Sequence, residues 1–134
     1  MTIVSLYYLD EKAQTLKKED HLIDVKSLVN NPYETIFNLL KEKPKSEELK
    51  SAIPEGTVFQ KAEIKNGILY LDLSKEFIQN HPGGKNEELQ TIYSIVNTMT
   101  ELIEVEGVKI LIDGEENLKF SDGQINFTEA FFKI

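Results

Sequence analysis

Cysteine, arginine and tryptophan are all missing from this chain. The first absence excludes disulfides and thiolate chemistry. The fold must be held by its own core, as one domain over residues 1–134. A chain of that size buries roughly two-thirds of the surface it exposes when unfolded, so it needs no metal or staple to fold. The compartment stays open, because lack of cysteine argues only against a small disulfide-stapled secreted fold. The second absence makes all 15 basic residues lysines; they face 23 acids, for a net charge of −8. A nucleic-acid binder concentrates positive charge and uses arginine forks on phosphate and guanine, so no nucleic-acid partner is expected. The same acidity disfavours direct contact with anionic lipid headgroups. No apolar run approaches the ~20 residues of a membrane-spanning helix. No signal peptide is visible either: Met1-Thr2-Ile3-Val4 enters a strand pattern at once. A mature domain cut from a longer precursor and a cytosolic protein would both begin this way.

What is present is strong local patterning. Residues 3–9 are β-rich, and residues 16–25 alternate loosely, which predicts two paired strands. Asn31-Pro32-Tyr33-Glu34 reads as a helix start, with Asn31 as N-cap, Pro32 in the first position and Glu34 closing a capping box. The apolar residues Ile36, Phe37, Leu39 and Leu40 follow, and Pro44 stops the helix. Ala52-Ile53-Pro54-Glu55-Gly56 predicts a rigid turn into a strand over 57–65. Asn66-Gly67 predicts a type I′ hairpin into a strand over 68–73, with Leu69, Leu71 and Leu73 on one face. Ser74 is placed to cap a short helix through Phe77 and Ile78. After the loop Asn80-His81-Pro82-Gly83-Gly84, Asn86 is expected to cap a long helix over about 87–104. Its apolar stripe is Leu89, Ile92, Tyr93, Val96, Met99 and Ile103. Gly107 ends that segment. A strand over 108–112 turns at Asp113-Gly114, and a closing hairpin is expected around Asp122-Gly123, before apolar Phe131, Phe132 and Ile134. The order β-β-α-β-β-α-β-β predicts an α+β fold: a mostly antiparallel sheet with two main helices packed on one face.

No part of this pattern assembles a catalytic constellation. Asp72 and Glu76 are the carboxylates nearest to a glycosidase pair, but such a pair needs a set separation and one protonated acid, and 23 acids make chance pairs common. Asp72 is expected instead to accept backbone bonds at the start of the helix after Ser74. His21 and His81 stand alone, with no paired metal-ligand spacing; His81, in a Pro-Gly-Gly loop, is expected to be solvated. Asp113-Gly114-Glu115-Glu116 and Asp122-Gly123 fail the calcium-loop pattern and read as turns. No nucleophile-elbow or phosphate-loop motif occurs. Asn97, in mid-helix, is expected to bond an adjacent strand or loop, with a ligand contact as the alternative. No catalytic residue, cofactor or metal site is expected.

The ordered set Ala52-Ile53-Pro54-Glu55-Gly56-Thr57, Asn66-Gly67, Tyr70-Leu71-Asp72-Leu73-Ser74, Glu76-Phe77, Ile95-Val96-Asn97-Thr98-Met99-Thr100, Gly107-Val108 and Ile110-Leu111-Ile112-Asp113-Gly114 resembles the GerMN domain of sporulation and spore-germination lipoproteins. The opening strand Val4 to Tyr8 and the helix from Pro32 to Thr35 also sit where that family has them. The resemblance implies that Pro54, Gly56, Asp72, Leu73, Ser74, Phe77, Asn97, Gly107, Asp113 and Gly114 are family positions with mainly structural roles. It implies an extracytoplasmic, membrane-tethered, non-catalytic module that packs into a homo-oligomer or docks on other envelope proteins. The membrane is reached only through a tether this chain lacks, since no lipobox cysteine is present. Two faces are expected to carry such contacts: the acidic 87–104 helix, with Glu87, Glu88, Glu101 and Glu104, and the 32–43 helix, with Lys41 and Lys43. The rival readings are a cell-wall glycan or peptide enzyme using Asp72 and Glu76, and a small-ligand binder using residues 80–86 and Asn97.

Overall fold

The β-rich opening folds into an antiparallel pair, β1 (Thr2–Asp10) and β2 (Thr15–Ile23), in unbroken register from Thr2 opposite Ile23 to Asp10 opposite Thr15. A computed structural model describes all residues of the chain except Asp122 and Gln124. Alternation along β1 buries Val4, Leu6 and Tyr8 and turns Ile3, Ser5, Tyr7 and Leu9 to the other face. β2 stops at Ile23, two residues before the expected end. There the Asp24 carboxylate accepts the Lys26 N–H at 2.9 Å and starts a short helix, α1 (Val25–Asn30).

The next helix, α2 (Pro32–Lys41), has Pro32 in its first turn as predicted, but the capping box does not form. That motif needs a free N–H on the capping residue. Here the Asn31 N–H is spent on the carbonyl of Ser27, closing α1, and the Asn31 side chain makes no cap bond. α2 buries Ile36, Phe37 and Leu40, each such side chain adding about 1.5–3 kcal/mol.

β3 (Phe59–Lys65) and β4 (Ile68–Leu73) form the hairpin that Asn66-Gly67 predicts, both turn residues having positive φ (50° and 82°). β4 then pairs in parallel with β5 (Gly107–Ile112), which forces a crossover connection. That crossover holds α3 (Glu76–Gln79) and α4 (Lys85–Met99). A two-residue strand, β6 (Phe131–Phe132), pairs antiparallel with Gly107 and Val108. The chain is α+β and mostly antiparallel. Its strands divide between two sheets, β1-β2 and β3-β4-β5-β6.

α4 lies at the centre, packed on β1 and also touching α2, β2, β5 and β6. From Thr91 to Met99 every residue but Tyr93 is buried. Buried nearly all round from Thr91 on, the helix keeps an exposed acid only in its first turn, at Glu87; Glu88 is 1% exposed, and Glu101 and Glu104 lie beyond its end. The helix is also shorter than its apolar stripe suggests. It ends at Met99, and the chain turns away through bonds from Leu102 N–H to Met99 and from Val105 N–H to Leu102. Ile103, placed on the stripe, is 100% exposed. The start is capped by Gly84 (φ 98°) rather than Asn86, which lies inside the first turn and bonds the Gln14 side chain at 3.3 Å. Gly107 opens β5 instead of closing the helix. A Cβ there would stand 2.7 Å from the Phe132 ring, so only glycine admits the close approach of β6.

The expected turn at Asp122-Gly123 lies partly outside the described residues. Beside it, Phe120 N–H donates to Ile125 and Phe127 N–H to Leu118, so the segment folds back on itself. Phe120 and Phe127 are fully buried, edge to face with each other and next to Phe77.

Candidate functional site

β1 meets α4 through hydroxyl groups. A strand with a free edge has N–H and C=O groups that need partners. At Tyr7 they are taken by two side chains of α4: the Tyr7 N–H donates to Thr98 Oγ1 (3.0 Å), and Ser94 Oγ donates to the Tyr7 carbonyl (2.7 Å). At Leu9 the edge is bridged by Lys50 in both directions, at 2.8 and 2.9 Å. One turn earlier on α4, Thr91 Oγ1 reaches the Ala52 carbonyl at 2.9 Å. Thr91, Ser94 and Thr98 recur at three- and four-residue spacing. That hydroxyl row is legible in the sequence once the helix is known to be buried on both sides.

His81 is not solvated as expected. Its Nδ1 accepts the Gly83 N–H (3.0 Å), Nε2 stands 2.9 Å from Thr91 Oγ1, and its ring lies 4.6 Å from that of Phe120. Acceptance at Nδ1 fixes the neutral Nε2–H tautomer, so the ring ties the loop to α4. His21 is held by Glu19 at 2.6 Å, and the same carboxylate accepts the N–H groups of Lys45 and Ser46, each at 3.0 Å. Burial works against the charge on Glu19, but these donors outweigh it and hold the carboxyl below its ordinary range.

The family-motif positions divide into supports. Pro54 accepts from Thr57 through both N–H (3.3 Å) and Oγ1 (2.7 Å), around Gly56 at φ 85°, which makes a type II turn. Asp72 does not serve the helix after it. Its Oδ1 crosses the parallel pair and accepts the Gly114 N–H at 3.0 Å. Asp113 and Gly114 both have positive φ (49° and 80°), and the Asp113 carboxylate accepts from Gln60 Nε2 at 2.9 Å. Ser74 makes no cap bond to α3. Its Oγ accepts the Val58 N–H (2.9 Å), and its hydroxyl holds the Glu76 carboxyl below the ordinary range. Leu73 and Phe77 are fully buried. Asn97 is buried, and its Oδ1 has no partner among the described residues, so the expected bond to a strand or loop is not made through that oxygen.

This geometry separates the two acids of the enzyme reading. Asp72 lines a shallow hollow with Lys61, Tyr70 and Gly114, whereas Glu76 packs against Gly56. Glu76 is also shifted opposite to what a general acid requires. Among the described residues no three His, Asp or Glu side chains are grouped to hold a metal ion.

Lys109 is the site residue that sequence reasoning missed. It interrupts the apolar run of β5, is only 6% exposed, and its Nζ donates to the carbonyls of Ile110 (3.3 Å), Glu116 (2.5 Å) and Phe127 (2.5 Å). A lone lysine between Val108 and Ile110 is the signal that marked it. A concavity of about 490 Å³ lies over the first turns of α4, between residues 50–55 and 80–82.

The outer surface carries a further feature. Ile3 and Leu22, cross-strand partners on the exposed face of the hairpin, are 62% and 66% exposed. Val25 and Val29, four apart on α1, are exposed beside them in sequence.

Residues 5–118 match the family model Germane, described as sporulation and spore germination. No curated protein matches the chain at sequence level. Among solved structures, the first GerMN domain of the sporulation protein GerM from Bacillus subtilis superposes with a TM-score of 0.78 at 19% identity, covering 98% of each chain. The tandem GerMN domains of the same protein match with a TM-score of 0.71 at 18% identity; 98% of this chain corresponds to 46% of that one. A candidate lipoprotein of Clostridium perfringens matches with a TM-score of 0.67 at 23% identity, over 98% of this chain and 87% of that one.

Proposed function

This chain belongs to the Germane family of sporulation and spore-germination domains, and from that premise we propose that it is a non-catalytic docking module of the cell envelope. In this reading it works outside the cytoplasm, held at the membrane by an anchor carried outside residues 1–134, and binds other envelope proteins or copies of itself. The fold likeness to a candidate lipoprotein supports the location. No helix among the described residues is long and apolar enough to cross a membrane, and the net charge of −8 disfavours direct adhesion to anionic lipid.

The observation that carries the docking role is the exposed apolar set Ile3, Leu22, Val25 and Val29. Large apolar side chains left exposed favour association once a complementary face covers them. Asp72 accepts the Gly114 N–H and the Glu76 carboxyl is held below its ordinary range rather than raised, which disfavours the enzyme reading. The test uses Val29→Cys and Leu22→Cys variants of the membrane-anchored protein in cells. Crosslinked multimers or a defined heteromeric adduct are expected, lost on Ile3→Asp. Monomer alone from both variants, or release of wall fragments by the purified protein, refutes the reading.

A further inference from the structure

The 490 Å³ cleft does not end at α4. It shares Gln14 and Gln90 with a second hollow of about 260 Å³ lined by Leu16, Leu89, Tyr93 and Ile134. The two form one groove across the N-terminal half of α4, polar at one end and apolar at the other. Gln90 sits at the junction. It is only 9% exposed, and its Nε2 has no hydrogen-bond partner among the described residues. A buried primary amide offers two donors and an acceptor, and buried polar groups of this kind are normally satisfied. The polar end carries Glu11, Glu55 and Glu87 against one cation, Lys50, which is already paired with Glu11 at 2.7 Å. Glu55 and Glu87 have no ion pair among the described residues, so this end favours a positive charge. The walls beside them are the rigid, apolar Pro54 and Pro82.

We propose that this groove binds an extended peptide segment, with an apolar side chain beside Leu89 and Tyr93, a lysine or arginine beside Glu55 and Glu87, and the Gln90 amide on the peptide group between them. A peptide unit presents one donor and one acceptor, which is what a primary amide pairs with. Alternating side chains then reach the two ends of the groove. The groove shares no lining residue with the hairpin patch, which lies at the opposite end of β1 and β2, so it extends the docking role, and either can fail without the other.

The test is a chemical-shift titration of the 15N-labelled chain with a blocked tetrapeptide of leucine, two alanines and lysine. The controls carry glutamate for the lysine, or glycine for the leucine. Shifts are expected in the backbone amides of the non-proline residues of 51–55, 80–83 and 86–93, with each control about tenfold weaker or worse. Gln90→Leu should weaken binding about tenfold while leaving the melting temperature unchanged or raised. The surface double variant Glu55→Gln, Glu87→Gln should do the same without touching a buried group. No shift in this groove at about 10 mM peptide, shifts confined to another face, or equal binding of the glutamate control overturns the proposal. So does binding that survives both the Gln90 variant and the double glutamate variant.

Discussion

Replacing Lys109 by methionine keeps the unbranched stem and removes the ammonium group. Three carbonyls then lose a donor, and two of them, Glu116 and Phe127, have no other donor among the described residues. Leaving the buried Phe127 acceptor unsatisfied costs about 1–3 kcal/mol, and the carbonyl of exposed Glu116 costs less. Part of that is offset because an ammonium no longer has to be desolvated. The net loss should be about 1–3 kcal/mol, which for a domain of this length lowers Tm by roughly 4–11 °C. Thermal melts followed by circular dichroism measure it directly. The pH dependence supplies a second check. Burial holds the Lys109 pKa below its ordinary value, while Glu116 works the other way. The unfolded chain therefore binds this proton more tightly. The lysine's contribution is least favourable below the folded-state pKa and improves as pH rises from there towards the unfolded value. The gap between wild type and Lys109→Met should therefore widen on the alkaline side. A variant as stable as wild type at pH 7 would refute the view that Lys109 fastens the C-terminal segment to β5, and a gap that narrows with rising pH would contradict the downward shift of its pKa.

Gly107→Ala should cost about 1–3 kcal/mol by overpacking against Phe132. Adding Phe132→Ala should recover most of it in a denaturant-based double-mutant cycle, and no recovery would place the strain elsewhere. Asn97→Leu should change stability by less than about 1 kcal/mol or raise it, because no bond is lost; a loss above about 2 kcal/mol in urea titration would mean that the amide is satisfied after all. Glu19→Gln should flatten the acid limb of the stability curve. The depressed carboxyl contributes fully above the unfolded glutamate pKa and loses that contribution as pH falls through its folded value, so the two proteins should converge in acid. Divergence there would contradict the assignment.

Local turn chemistry was the most legible part of the fold. Asn66-Gly67 and Asp113-Gly114 each demand positive φ at both positions, and nothing distant competes with that demand. The ends of α4 were not legible. Ile103 continues the apolar spacing, yet the helix has already ended at Met99, because Glu106 and Gly107 must swing back to meet Gly67 and β4. Residue type could not foretell the central position of α4 either. A one-sided stripe plus a row of small hydroxyls looks amphipathic until a second sheet is known to cover the hydroxyl side. Asp72 shows the same limit at the candidate site. Its local context suggests a partner a few residues ahead, but its actual partner, Gly114, lies 42 positions away.

The hydroxyl contacts to Tyr7 impose an order of events on synthesis. Ser94 and Thr98 lie 87 and 91 residues downstream of the backbone they protect. At roughly 5–20 residues per second, a ribosome delivers them about 4–18 s after Tyr7 has emerged. For that interval the newborn hairpin has an open side, and any transport or holding factor acting on the nascent chain meets a sticky ribbon rather than a finished domain.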